Sequence, residues 1–349
     1  MLNIYRLFMS ITLYLPSLVF AQLTDFPDNI YQPLEVGVGI ELQQLHIINE
    51  KEHSFDAELI LHLRWKDPRL AFDIKQTGTS RKEYRGDDAK QFLEQIWTPK
   101  THFSNLKQSE ELNEKRNVFV HPDGLVEDIQ AIQGTFETAF NTQYFPFDNQ
   151  NLKLELKSQY YDLRLLKLVH RVEDGEYSGV SDMNLSQWDI YHHRYSSYFF
   201  RGWNNAAYSG IEMDIYIERR TSQFLPFIFF PFITLMLFPS ISMFSRHYNM
   251  ETKVSLLLNG ILAQIALAFT IKSTYTTVEF VGNTVIYIFI LGIVYYLVTL
   301  LHNVILLNMY DSRKALVLTI DNYTKWAYPL IFIILLTHLS IEAIITGLA

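Results

Sequence analysis

Residues 251–273 read ETKVSLLLNGILAQIALAFTIKS, a helix-length apolar segment carrying one polar stripe. Glu251, Ser255, Asn259, Leu262, Ala266 and Phe269 recur at steps of four, four, three, four and three, so they share one face of an α-helix. Leu257, Leu258, Ile261 and Ile265 make the other faces apolar. From Glu251 to Phe269 such a helix rises about 27 Å at roughly 1.5 Å per residue, close to the ~30 Å hydrocarbon core of a bilayer. A spanning helix with this stripe can line a pore, but one helix cannot enclose water. No other segment has the stripe, so a pore requires several copies of the chain around an axis. The competing reading is an amphipathic helix buried inside a monomeric bundle, since polar residues in spanning helices usually face the bundle interior.

Outward from this segment, three more apolar stretches, near 223–244, 281–307 and 325–347, are long enough to span. The basic residues nearest the helix ends, Arg246 and Lys253 in one loop and Arg313 and Lys314 in another, place both loops in the cytoplasm. Residues 22–220 and the C-terminus then lie on the far side. Met1 to Ala21 agrees: Arg6, the apolar run LFMSITLYLPSLVF and Val19-Phe20-Ala21 read as a signal peptide, with the mature chain starting at Gln22. An uncleaved first helix is the alternative, opposed by Pro16 and the short apolar core. Export permits disulfides, yet the chain has no cysteine, so its exported domain must hold by packing alone.

Residues 22–220 alternate with period two. Phe55, Ala57, Leu59, Leu61, Leu63 and Trp65 face one way and Asp56, Glu58, Ile60, His62 and Arg64 the other. Leu152, Leu154 and Leu156 alternate with Lys153, Glu155 and Lys157, and Ile211, Met213, Ile215 and Ile217 with Glu212, Asp214, Tyr216 and Glu218. Turn signals such as His121-Pro122-Asp123-Gly124 separate such runs, which predicts an antiparallel β-sandwich. The 349 residues are 19% charged and 49% hydrophobic, as suits a chain split between water and lipid, and the net charge of -8 argues against nucleic acid as a partner. No H-E-x-x-H, G-x-S-x-G or phosphate-binding glycine loop is present, so no enzymatic activity and no cofactor are expected. His192 and His193 are adjacent on an expected strand and should point to opposite faces, which argues against a shared metal.

Several motifs then fall into register. Trp65-Lys66-Asp67-Pro68-Arg69-Leu70 ends a strand, Trp97-Thr98-Pro99 precedes Asn105, Tyr144-Phe145-Pro146-Phe147-Asp148 forms a loop tip, and Arg219 lies twelve residues before Pro231. Together with the exported sandwich and four spans, they resemble the pentameric ligand-gated ion channel family. Animal members bracket the signature loop with two cysteines and carry a long intracellular domain before the last span. This chain has neither, with a linker of about 17 residues there, and so resembles the prokaryotic branch. The resemblance implies an immunoglobulin-like β-sandwich over an all-α four-helix transmembrane domain. It also implies four identical neighbours around the axis and a small-molecule agonist bound between sandwiches.

The same resemblance assigns sites. Ile60, His62 and Arg64 fall where a neighbouring subunit contributes to the agonist pocket. Ser104 and Gln159 fall where aromatic rings are usual, with Phe103, Tyr160 and Tyr161 close by. Tyr208 keeps the aromatic of the capping hairpin, and Arg201 stands at its start. An aromatic cage suits quaternary ammonium; a pocket short of rings and richer in Arg64, Arg201 and His62 leans toward a carboxylate-bearing or neutral aromatic ligand. The alternative is that these are solvated rim residues. Asp148 and Arg219 should pair at the junction with the membrane, where His53 takes the place of an acidic residue. Leu262 and Phe269 should form apolar rings that stop ions by dewetting, and Glu251 should ring the cytoplasmic mouth and favour monovalent cations. Lys253 should point away from the ion path, into the lipid headgroup zone. The expected protein is a homopentameric, ligand-gated, cation-selective channel of a bacterial inner membrane, with sandwich and C-terminus periplasmic. Three alternatives stay open: a non-conducting tethered sensor, a pH-gated channel of the same fold, and a transporter, for which internal repeats and midplane charges are lacking.

Overall fold

A computed structural model describes residues 23–27, 33–170, 178–181, 183, 185–244, 250–274 and 283–347. The expected leader and Arg246 lie outside the described residues. Eleven strands come first: β1 Leu34–Asn49, β2 Ser54–Lys66, β3 Lys82–Arg85, β4 Thr101–Phe103, β5 Leu106–Val120, β6 Leu125–Glu137, β7 Asn149–Ser158, β8 Leu166–Val169, β9 Gly179–Val180, β10 Trp188–Arg201 and β11 Ala207–Arg219. Two short helices, α1 Ile74–Thr77 and α2 Asp87–Gln95, interrupt them. Four long helices follow: α3 Phe230–Phe244, α4 Met250–Thr274, α5 Thr284–Tyr310 and α6 Lys314–Gly347.

The strands form two sheets, one ordered β3-β5-β6-β2-β1-β8 with β9 also on β1, the other β10-β11-β7-β4. The period-two alternation sets their inner faces. Phe55 to Trp65 on β2, Val36, Val38, Ile40 and Leu42 on β1, Leu152 to Leu156 on β7 and Ile211 to Ile217 on β11 form one buried core. Trp65 packs edge-on against Trp97 in that core, their ring centroids 6.3 Å apart. Pairing is antiparallel except at the edge, where β8 and β9 run parallel to β1. The expected turn at 121–124 closes β5 to β6. Gly124 sits at φ +81°, and a Cβ there would lie 2.5 Å from the Asp67 carbonyl oxygen, so only glycine fits.

His192 and His193 take opposite faces as expected: the ladder shifts register before them, between Ile190 and His192, and then pairs His192 with outward Tyr216 and His193 with buried Ile215, although their rings still come within 6.4 Å.

Among the described residues, four helices are long and apolar enough to cross a membrane. α3, α4 and α5 overlap the apolar stretches at 223–244, 251–273 and 281–307, and α6 overlaps that at 325–347. α6 begins at Lys314, not 325, so Asp311 to Arg313 separate α5 from α6 and the expected linker of about 17 residues is mostly helix. Residues 314–324, KALVLTIDNYT, mix polar and apolar side chains and carry no proline, so they extend the helix without registering as hydrophobic core. A second core, with Phe232, Leu257, Phe289 and Tyr296, joins the four helices and receives Phe145 from the sandwich.

Candidate functional site

α4 has two unlike sides. Glu251, Ser255, Asn259, Leu262, Ala266 and Phe269 are all exposed, Leu262 and Phe269 at 65% and 67%. Lys253, Leu257, Gly260, Gln264 and Ile271 turn into the bundle. Three contacts fix this rotation. Gly260 lies so close to α5 that a Cβ would come 2.4 Å from Tyr296 Cε1. Gln264 Nε2 donates to the Phe289 carbonyl at 2.7 Å, and Lys253 Nζ to Asn303 Oδ1 at 3.2 Å. Lys253 therefore faces away from the stripe, but into the bundle: at 2% exposure it is a buried contact, not the headgroup anchor expected.

Between sandwich and bundle lies a buried ion-pair cluster. Arg219, the last residue of β11, donates through Nε to Asp148 Oδ1 at 2.7 Å and through Nη2 to Oδ2 at 3.0 Å. Its Nη1 lies 2.9 Å from Glu50 Oε1 in the β1–β2 turn, and its guanidinium sits 4.1 Å above Trp188 and 4.9 Å above Phe145. Gln150 Nε2 donates to the second Asp148 oxygen at 2.5 Å. Burial works against the Arg219 cation, but Asp148 and then Glu50 outweigh it and hold its pKa above the ordinary guanidinium value. His53 is exposed at the same turn with φ +50°; its carbonyl accepts from Thr138, and its ring lies 6.3 Å from Phe140. The acidic partner is thus Glu50, three residues before the position the sequence reading examined.

The signature loop closes without cysteine. Gln150 grips Asn141 in both directions, accepting from its N–H at 2.9 Å and donating to its carbonyl at 2.7 Å, while Thr138 Oγ1 donates to the Asn151 carbonyl at 3.0 Å. The loop tip carries Phe145 onto Phe224 and Phe147 to within 6.1 Å of Phe229. Asn283 completes the junction. It caps α5 by accepting from Val285 N at 2.9 Å and donates to the Thr142 carbonyl of the loop at 2.8 Å.

The agonist residues separate into two groups on different sheets. Ser104 just past β4, Gln159 and Tyr160 just past β7, and Arg201 at the end of β10 are exposed beside the sheet that carries the β10–β11 hairpin. Ser104 Oγ donates to Glu155 Oε2 at 2.9 Å, and Lys157 bonds the same carboxylate. Burial raises the Glu155 pKa, but Lys157 and Ser104 more than offset this and leave it below the usual value. Arg201 donates to Asn205 Oδ1 at 3.0 Å, which leaves its charge uncompensated by that partner. Tyr208 is buried, stacked on Phe200, with Gly202 closed against its ring.

Three more of the expected pocket rings or bases turn inward. Phe103 is buried edge-on against Phe136, and Tyr161 accepts from Trp97 Nε1 at 2.8 Å and packs on Phe26. The proposed compensation for missing rings therefore narrows to Tyr160. His62 is 1% exposed, because central strand β2 sets it between Gly39 of β1 and Ile129 of β6. Ile60 is half-buried, and Arg64 lies 3.2 Å from Glu127.

The family model for the neurotransmitter-gated ion-channel ligand binding domain matches residues 24–221, more than half of the chain. The chain belongs to the pentameric ligand-gated ion channel family. A proton-gated ion channel from Gloeobacter violaceus is 24% identical over 307 residues, 87% of this chain and 81% of that protein. The gamma-aminobutyric acid receptor subunits rho-2 of human and mouse are each 26% identical over 264 residues, 74% of this chain and 55% of theirs. This is a family of membrane channels, not enzymes. Within this pentameric-channel fold, sequence reasoning missed Glu50, Gln150, Asn283 and Trp203. Trp203, at the tip of the β10–β11 hairpin two residues past β10, is 94% exposed.

Proposed function

We propose that the chain is the subunit of a homopentameric, agonist-gated, cation-selective channel in a bacterial inner membrane, with sandwich and C-terminus periplasmic. One observation carries the reading: α4 keeps Glu251, Ser255 and Asn259 exposed while its opposite side is locked into the bundle at Gly260 and Gln264. An exposed polar stripe along a spanning helix is stable only against water, and five stripes around an axis enclose it. Five Glu251 carboxylates at the helix N-termini lower the energy of entering cations and offset the positive ends of the helix dipoles. Leu262 and Phe269 form the apolar rings that stop ions.

The agonist sits between neighbouring sandwiches, with Ser104, Gln159, Tyr160 and Arg201 from one and Ile60 and Arg64 from the next; buried His62 and Tyr208 shape the walls behind them. Arg201 supports a carboxylate-bearing ligand, since a guanidinium fork pairs with carboxylate in two hydrogen bonds. The name of the rho-2 relatives, which specifies an amino acid agonist, points the same way. Binding moves the sandwich against the bundle through Asp148, Arg219, Glu50 and the neighbouring His53 turn. The proton-gated relative favours a second reading, in which acid opens the pore. Planar-bilayer recording of the purified chain in a salt gradient, with amino and aromatic carboxylates applied at two pH values, decides. Agonist-evoked current reversing near the cation potential is expected; anion reversal removes the selectivity assignment, and no conductance under any condition leaves a sensor.

A further inference from the structure

Lys253 is the one lysine or arginine buried inside the helix bundle among the described residues, at 2% exposure. It stands two positions after Glu251 on the other side of α4. Its ammonium donates to Asn303 Oδ1 of α5 at 3.2 Å. The same amide donates through Nδ2 to Ser242 Oγ of α3 at 3.3 Å and to the Thr299 carbonyl, one turn earlier on α5, at 2.9 Å. An ammonium only donates and a main-chain carbonyl only accepts, so the amide has one permissible orientation. Asp321 of α6 is the acidic group that acts on the lysine electrostatically. Ser242 and Thr299 are fully buried, and Asn303 nearly so. One amide therefore ties three helices together at the cytoplasmic turn of α4 and occupies both its donors and its acceptor.

A lysine on a spanning helix reaches for water when its stem can bend. Helix side chains lean toward the N-terminus, which here is the mouth where Glu251 stands. A released Lys253 would bring its charge within the ~8 Å screening length of physiological salt, close enough to cancel the glutamate. We propose that Asn303, backed by Ser242, holds the Lys253 charge out of the ion path and so determines charge selectivity without touching the ion. This rests on the reading of α4 as the pore helix with Glu251 at its mouth.

The test compares reversal potentials of full-length wild type, Asn303→Leu, Lys253→Met, the double variant and Asn303→Asp in bilayers under a salt gradient. Asn303→Leu should lower the cation-to-anion permeability ratio at least severalfold. The same change should have no effect in the Lys253→Met background, and Asn303→Asp, which keeps an acceptor, should retain the wild-type ratio. An unchanged ratio in Asn303→Leu overturns the proposal, as does an equal loss in both backgrounds, which would mean that Asn303 places the helix and not the lysine. If Asn303→Leu does not assemble, Ser242→Ala loosens the same amide and should give a smaller shift in the same cycle. Glu251→Ala separates the two failures. If it leaves the ratio unchanged, the pore reading falls; if it collapses the ratio while the Asn303 and Ser242 variants do not, only the lysine anchor falls.

Discussion

The sandwich and the helix bundle are inside-out relative to one another. In the sandwich, Val36, Ile40, Phe55 and Leu59 are fully buried, while charges run across the outer face as Lys153–Glu212 and Arg194–Asp214 pairs. In the bundle, Leu301, Leu330, Ile333 and Ile334 are exposed, while Ser242, Gln264 and Thr299 are fully buried and Lys253 nearly so. Water drives the first arrangement through apolar burial. Lipid cannot drive the second that way, so close packing and interhelical hydrogen bonds must supply the specificity. Against this rule the stripe on α4 stands out as polar and exposed at once, which lipid would not stabilise.

The comparison breaks most visibly where the two regions meet. Asp148→Asn leaves Arg219 with half of its compensation at a buried site, and removing one partner of such a pair costs about 3–5 kcal/mol. Agonist-evoked current should vanish while agonist binding persists, read by radioligand binding beside patch recording. Lost binding with intact gating contradicts the coupling role, and so does strict additivity with Arg219→Ala in a double-mutant cycle. Next comes Gly260→Ala, a harmless exchange on a water-facing helix. Here the Tyr296 ring must give way, at about 1–3 kcal/mol, and the thermal midpoint in detergent should fall. A midpoint at or above that of wild type would show that α4 does not pack as closely as described.

Leu262→Ser sharpens the contrast from the exposed side. Within the bundle a buried serine would weaken packing, whereas on a pore stripe it should wet the constriction and raise agonist sensitivity, by about tenfold if it removes ~1.4 kcal/mol from the closed state. Unchanged sensitivity, with a cysteine at 262 unreactive to aqueous reagents, removes Leu262 from the ion path. The smallest effect belongs to the sandwich. Burial, with the charge of Lys157, lowers the pKa of His102, and burial, with His192, lowers that of His193. A lowered folded pKa means that the unfolded chain binds more protons. The contribution of these residues is therefore complete above about pH 6.5 and fades as pH falls through the folded values. Unfolding midpoints at pH 7.5, 6.5 and 5.5 should decline, and His193→Gln should flatten the decline; a slope equal to wild type would mean that His193 has no share in it.

What the residues revealed in advance tracks this contrast. Alternation on β2, β7 and β11 and the length of the four apolar runs are local signals, and each survives in the fold. The relation between faces is not local. His62 sits on the polar side of its strand but is covered, because β2 is central and its neighbours were invisible to a period-two count. Phe103 lies one residue from exposed Ser104 and points into the core, so proximity in sequence misassigned it. Glu50 gives no local signal, because nothing in the run Asn49 to His53 distinguishes a junction carboxylate from a turn residue until Arg219 arrives from β11. Residues 314–324 read as linker because hydropathy detects the membrane, whereas the helix continues past it.

The Asn283 amide joins the signature loop to the start of α5. A net hydrogen bond of this kind is worth about 1 kcal/mol. In the proposed pentamer five loops would release five cap residues together, a change of about 5 kcal/mol, close to the ~5.5 kcal/mol that carries a two-state population from 1:99 to 99:1. In that pentamer the bond from Asn283 to Thr142 would act as a clutch plate, one bond slipping alone on thermal agitation and five together matching a full change of state.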